Sequence, residues 1–266
     1  MRNRRLLRAN LQIAPQQPAT AFFRAVELDH VLQSKVLPLT GHALDLGCGD
    51  GQITRLLAHE TGARWTLVGL DFDPHETELA RQSGVYQRVH TSGAENIQEP
   101  DNSFDFVFSN SVLEHIPDLT PVLAEVWRIL KPGGRFVFTV PSSYFPEFLG
   151  GPNWLGRFAT RQSERGAYLK AIDERLAHFR YWDQNTWRQS LSGVGLQLDH
   201  TSHYLTRPEL QRWESMSNAT SGAVVRLIGK RPIEIQRQIG AKKGKPSWWI
   251  RVAGRIIGRC AVGIMP

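Results

Sequence analysis

Three glycines alternate in "DLGCGDG", at Gly47, Gly49 and Gly51, after an apolar run and before a helical pattern. Glycines at such a turn let the backbone approach a ligand closely, and the following helix offers its unpaired N-terminal amides. Asp71, in "GLDFDP", stands twenty residues beyond Gly51 at the end of a second apolar run. A carboxylate there can accept from both hydroxyls of a ribose, which points to a ligand with a free 2′-hydroxyl. The dinucleotide fingerprint is spaced G-x-G-x-x-G. Here the spacing is G-x-G-x-G, with Asp45 just ahead of it. Asp45 would repel a pyrophosphate and attract an amino group, so a small zwitterion suits the turn better than a nicotinamide dinucleotide.

Strands must end at these residues if they are to share one cleft, and the sequence supplies them. "HALDLG", "TLVGLD", "YQRVH", "FDFVFSN" and "RFVFTV" read as strands, and "QITRLLAHE", "PHETELARQ" and "TPVLAEVWRIL" as the helices between them. Strands separated by helices require crossover connections, hence a doubly wound, mainly parallel α/β sheet. A helix is predicted over 20–37, stopped by Pro38. After Pro141 come an aromatic, Gly- and Pro-rich loop, a polar helix over 160–177 and a helix in "DQNTWRQSLSGVG". "LQLDHTSHYL" alternates like a strand, and "RCAVGIM" is expected to return as the last edge strand.

Hydrophobic residues make up 41% of the 266, enough for a buried core. The two cysteines, Cys48 and Cys260, lie far apart, and Cys48 sits inside the glycine turn, which argues against a disulfide framework and fits a cytoplasmic protein. Charge is uneven. Residues 1–8 carry four arginines and no acid, and 226–266 carry ten Lys or Arg against Glu234, which leaves the body between them net acidic. Such basic ends can meet phosphates of a nucleic acid or an anionic membrane, or simply face solvent. Residues 1–19 are expected to be a basic flexible tail, since Gln12 and Pro15 interrupt any apolar region of a leader.

"LDLGCGDG", "GLDFDP", "FDFVFSNSVLEHIPD" and "LKPGGRFVFTVPS" together resemble, in order and spacing, the class I S-adenosylmethionine-dependent methyltransferases, most closely the small-molecule, lipid and glycan methyltransferases. The resemblance covers 43–142 well and 22–204 loosely. It implies a seven-stranded Rossmann-like sheet at 20–206, an acceptor-capping insertion at about 142–182, and a C-terminal extension at 207–266. It implies S-adenosyl-L-methionine as cofactor. Asp45, Gly47, Cys48 and Gly49 would line its methionine and ribose part, Asp71 would bind the ribose hydroxyls, and Phe72 would face the adenine. Ala94 and Glu95 would lie at the adenine edge. Similar enzymes often carry Asp where this chain has Gly93, and Glu95 is the carboxylate that can replace it. Asn110 and Ser111 would lie under the sulfonium, and Arg24 would clamp the methionine carboxylate.

Methyl transfer needs a nucleophile aligned opposite the sulfur and, for a hydroxyl acceptor, a base. His115 and His178 are the candidates for that base, each with a structural histidine as the alternative. Related O-methyltransferases bind a divalent metal through Glu-x-x-Glu-His. Here Ser111 takes the first position and leaves only Glu114 and His115, so no metal is expected. Arg161, Arg165, Arg175 and Arg180 could grip an anionic acceptor, and Tyr144, Phe145, Phe148 and Trp154 could line an apolar pocket. Arg251, Arg255 and Arg259 with Trp248 and Trp249 could rest on a membrane surface. The acceptor implied is a small molecule, glycan or lipid precursor. A non-catalytic cofactor-binding domain and an RNA methyltransferase are the alternatives. The net acidic body opposes polyanion binding.

Overall fold

The apolar runs between residues 40 and 139 form β1 (Thr40–Leu46), β2 (Arg64–Asp71), β3 (Arg88–Thr91), β4 (Phe104–Asn110) and β5 (Leu130–Thr139). Helices α1 (Arg2–Ile13) and α2 (Pro18–Ser34) precede the sheet, and α3 (Gln52–Thr61), α4 (Pro74–Ser83) and α5 (Thr120–Ile129) alternate with its strands. Then follow α6 (Tyr144–Phe148), α7 (Gln162–Leu176), α8 (Gln184–Ser192) and α9 (Arg207–Ser217). This computed structural model describes residues 2–13, 17–151 and 162–219.

The sheet runs in the order β3-β2-β1-β4-β5, with every pair parallel. Parallel neighbours need long crossovers, which α3, α4 and α5 provide. Left-handed glycines bound α3 at both ends, Gly51 (φ 78) and Gly62 (φ 68). Asp73 caps α4 by accepting from the His75 amide, Pro74 starts the helix and Gly84 (φ 70) ends it. The register of β4 against β5 jumps between Phe104↔Leu130 and Phe106↔Arg135, so the predicted Lys131–Gly134 turn is looped out inside β5.

Two compact units divide the chain. One comprises Val31–Ser142 and Phe179–Ser202 and contains the whole sheet. Its core joins Leu44, Leu46, Val68, Leu70, Phe104 and Val107 of the strands to Val122, Leu123, Val126 and Ile129 of α5. Burying each of these large side chains contributes roughly 1.5–3 kcal/mol. Trp187 of α8 packs on Phe138 of β5, ring centroids 4.8 Å apart. Because the chain leaves β3 and crosses to β4 beside β1, the topology switches between β1 and β4. A crevice at the carboxyl ends of those strands is where open parallel sheets take their ligands.

The other unit is helical among its described residues and comprises Met1–His30, Ser143–His178 and His203–Pro266. Leu6 and Leu7 of α1, Phe22 and Leu28 of α2, Phe145 of α6, Ile172 of α7 and Trp213 of α9 are buried. The Trp213 ring meets Phe145 and Phe23 edge-on, at 5.6 and 6.1 Å. Buried Glu214 accepts from the Gly150 amide (2.7 Å), the Gly151 amide (3.3 Å) and the Tyr168 hydroxyl (2.5 Å), tying α9 to α7 and to the chain after α6.

Several expectations change. Residues 2–13 are a helix with Leu6, Leu7 and Asn10 buried, not a flexible tail; its arginines mask an apolar stripe that burial makes helical. "LQLDHTSHYL" forms no strand. Leu196 and Leu198 pack on the sheet unit's core, so the alternation reflects one-sided burial without a ladder partner. Of seven expected strands, five are present among the described residues. The "RCAVGIM" strand, Trp154, Arg161 and the 248–259 segment lie outside the described residues. Residues 207–217 are α9, whose Glu209 carboxylate accepts from the Thr206 amide and hydroxyl, both 2.7 Å away.

Candidate cofactor site and active site

The glycine turn follows directly from the end of β1. Gly47, Gly49 and Gly51 all adopt left-handed backbone, with φ of 79°, 51° and 78°. The amides of Gly47 and Cys48 both donate to the Leu70 carbonyl, at 2.7 and 3.0 Å, which fastens the turn to the end of β2. A side chain at Gly47 would overlap the Val112 methyls, whereas at Gly49 the nearest atom is Glu76 Oε2 at 4.0 Å. The surface beside Gly49 is therefore open.

Asp71 ends β2 on the same side. Its Oδ2 accepts from the Gly49 amide and its Oδ1 from the Asp73 amide, each at 3.0 Å. A carboxylate has about four acceptor positions, so these bonds orient Asp71 and leave capacity for two ribose hydroxyls. Burial, opposed by those amides, raises its pKa. The next residue, Phe72, is 67% exposed, an aromatic face turned outward beside the carboxylate.

Asp45 differs from expectation. It is 3% exposed, and its Oδ2 accepts from the hydroxyls of Thr54 and Tyr86, both at 2.5 Å. Burial pushes its carboxyl up to about 6, against the pull of the two hydroxyls. Its observed bonds tie β1 to α3 and to the chain after α4. Cys48 is likewise buried, and burial pushes its thiol well up.

Ala94 is buried in the core, and Glu95 is exposed. A side chain at Gly93 would overlap the Glu95 carboxylate, so the glycine leaves to Glu95 the space that a residue at 93 would take. At the end of β4, Asn110 Nδ2 donates to Thr139 Oγ1 at 2.6 Å, and Ser111 turns the chain with left-handed φ of 51°. Ser109 Oγ donates to the Leu46 carbonyl at 3.0 Å, joining this corner to β1.

A single 3-10 turn, Leu113–His115, carries the histidine candidate. His115 has a 40% exposed side chain, and its Nε2 lies 3.9 Å from an oxygen of buried Glu114. The turn is held from behind. The Phe179 amide donates to the Glu114 carbonyl (2.8 Å), and the Arg180 guanidinium donates to the carbonyls of Leu113 and Pro117. Arg180 is thus engaged with the protein's own backbone, not poised as an anion grip. Arg165 similarly donates to the Pro146 carbonyl at 2.8 Å. Arg24 and His178 belong to the helical unit. Arg24 pairs with buried Glu27 at 2.5 Å, and the His178 ring lies against Phe145 at 5.8 Å. Tyr144 there stacks on Phe148 at 5.6 Å.

The structure brings Gly47, Cys48, Gly49, Asp71, Phe72, Asn110 and Ser111 to the carboxyl ends of neighbouring strands. Sequence reasoning missed Thr54, Tyr86, Val112 and Thr139. For Thr139 a signal existed, because pairing "FDFVFSN" with "RFVFT" end to end sets Thr139 opposite Asn110.

Residues 44–138 match the family model described as a methyltransferase domain. The demethylmenaquinone methyltransferase of Lactiplantibacillus plantarum is 32% identical over 164 residues, 56% of this chain and 68% of that protein. The chain belongs to the S-adenosylmethionine-dependent methyltransferases. S-adenosylmethionine is accordingly its cofactor, and the left-handed glycine cradle, the oriented Asp71 carboxylate and the exposed Phe72 face fit that ligand. The Bacillus licheniformis demethylmenaquinone methyltransferase is 34% identical over 126 residues, and there the chain spans about half the relative, 53% of its length. Among solved structures, an S-adenosylmethionine-dependent methyltransferase of Mesorhizobium loti shares the fold with a TM-score of 0.50 at 24% identity, over 72% of this chain and 92% of that one.

Proposed function

We propose that this methyltransferase moves a methyl group onto a lipid-precursor acceptor of the demethylmenaquinone kind. The observation that carries the methyl-donor side of the reading is Asp71, fixed by the Gly49 and Asp73 amides beside an open glycine turn, and the likeness to the demethylmenaquinone methyltransferases supports the acceptor side. S-adenosylmethionine supplies a methyl carbon already activated by a positively charged sulfur. The chain's own residues bind and orient. Asp71 takes the ribose hydroxyls, Phe72 packs on the adenine, and Ala94 and Glu95 border its edge. The backbone of Gly47, Cys48 and Gly49 admits the methionine part, and Asn110 and Ser111 form the floor beneath it. Asp45 keeps that turn in shape from behind. With the reactants aligned, proximity lowers much of the barrier.

His115 is the proposed proton acceptor where the acceptor group loses a proton, with buried Glu114 beside its Nε2. The substrate for which those relatives are named supports the quinone-type acceptor, and such an acceptor would bring the enzyme to a membrane surface. No helix among the described residues is long and apolar enough to cross a membrane.

Calorimetric titration with S-adenosylmethionine tests the cofactor site. Wild type binds, and Asp71→Ala weakens binding by roughly a hundredfold or more, the value of two charge-assisted hydrogen bonds. Transfer of labelled methyl from S-adenosylmethionine to demethylmenaquinone in detergent then tests the acceptor. Transfer by wild type, with His115→Ala binding the cofactor normally yet turning over slowly, supports the reading. A cofactor-binding wild type that labels no demethylmenaquinone overturns the acceptor assignment alone.

A further inference from the structure

Thr139 ends β5 opposite Asn110, and it is 8% exposed. Its hydroxyl oxygen accepts from Asn110 Nδ2 at 2.6 Å and from the Ser111 amide at 3.1 Å. Its carbonyl also accepts from the Ser111 amide, at 3.0 Å. Ser111 is held in left-handed backbone, φ 51°, which a residue with a Cβ adopts only when its surroundings impose it. On the other side of the corner, Val112 fills the space over Gly47, and Ser109 bonds the Leu46 carbonyl. The corner is thus held by Thr139 on the β5 side, and by Val112 and Ser109 on the β1 side.

We propose that the Thr139 hydroxyl is a positioning residue for the methionine end of the cofactor. It fixes the direction of the Asn110 amide and the left-handed turn at Ser111, and so sets the floor on which that end of the ligand rests. This rests on the assignment of Asn110 and Ser111 to the cofactor site above. The hydroxyl is the essential feature, because valine at 139 would keep the shape and the carbonyl bond while removing the hydrogen bonds that the Asn110 side chain and the Ser111 amide make to Oγ1.

Three ligands and two variants test it. Thr139→Val binds S-adenosylhomocysteine and S-adenosylmethionine about tenfold more weakly than wild type, the fold-change of one lost hydrogen bond. It binds 5′-methylthioadenosine, which lacks the amino acid part, with unchanged affinity. Thr139→Ser, which restores the hydroxyl, returns the affinities to within about twofold of wild type. Without any ligand, deuterium exchange of the peptide containing Ser111 speeds up in Thr139→Val and not in Thr139→Ser. Equal weakening for all three ligands, or a serine variant as poor as the valine one, would overturn the proposal. A wild type that binds neither S-adenosyl ligand would instead remove the cofactor assignment and this proposal with it.

Discussion

Asp45 and Asp71 stand at the ends of adjacent parallel strands, two residues of one chemistry put to different uses. Asp71 is oriented by amides with acceptor capacity to spare, whereas Asp45 is enclosed by the Thr54 and Tyr86 hydroxyls. Burial raises the Asp45 carboxyl from its ordinary 3.8 to about 6, so the folded protein holds that proton after the unfolded chain has released it. The contribution to stability is fully present below the ordinary value and is lost as pH rises through about 6. A rise of that size corresponds to about 3 kcal/mol. Asp45→Asn should therefore lose the part of the stability fall between pH 4 and pH 6 that Asp45 causes, measured as urea unfolding across that range against wild type. Parallel pH profiles for the two proteins would refute the assignment. Asp71 was legible from its distance to the glycines. The burial of Asp45 was not, because Tyr86 stands 41 positions away and no local pattern connects them.

Secondary elements were legible where burial on both faces gives a strand a continuous apolar run, as in β1, β2 and β4. They were misread where tertiary context decides. Four arginines in residues 1–8 hid the apolar stripe of α1. The Thr206-x-x-Glu209 pair that starts α9 was present as a signature and went unused. One element-scale support is carried by a single side chain. Arg128 of α5 donates to the carbonyls of Ile97 (2.8 Å) and Glu99 (2.9 Å) and pairs with Asp101 and Glu125, both at 2.7 Å. It holds the connection from β3 to β4 against the helix. Arg128→Leu should cost about 1–3 kcal/mol through those unmet carbonyls, read from the urea midpoint with an unchanged m-value. A change below a few tenths would show the network to be no more than surface ion pairing.

At the scale of the molecule, the sheet unit holds every proposed cofactor residue except Arg24, and the doubly wound order was legible from the alternation of strands and helices. The helical unit was legible only as separate helices, those predicted over 20–37 and 160–177, since its described elements follow no repeating rhythm and its core is assembled from segments far apart in the chain. Parallel order has a kinetic consequence. β1 joins β2 through α3, but it meets β4 only after the chain has passed through β2, α4 and β3, with Ala43 pairing Phe106 and Asp45 pairing Phe108. Distant pairing of this kind forms slowly, because the loop must close before the contacts reward it. Gly49 and Asp71 lie on one side of that seam, Asn110 and Ser111 on the other. A chain refolding from urea should thus regain its helical signal before it regains S-adenosylmethionine binding, and stopped-flow ellipticity run beside a fluorescent cofactor analogue would resolve the two. The seam between β1 and β4 makes the capacity to take the cofactor a clock for the last event in assembly: a nascent chain that has made only its first three strands has half a site and nothing to bind with.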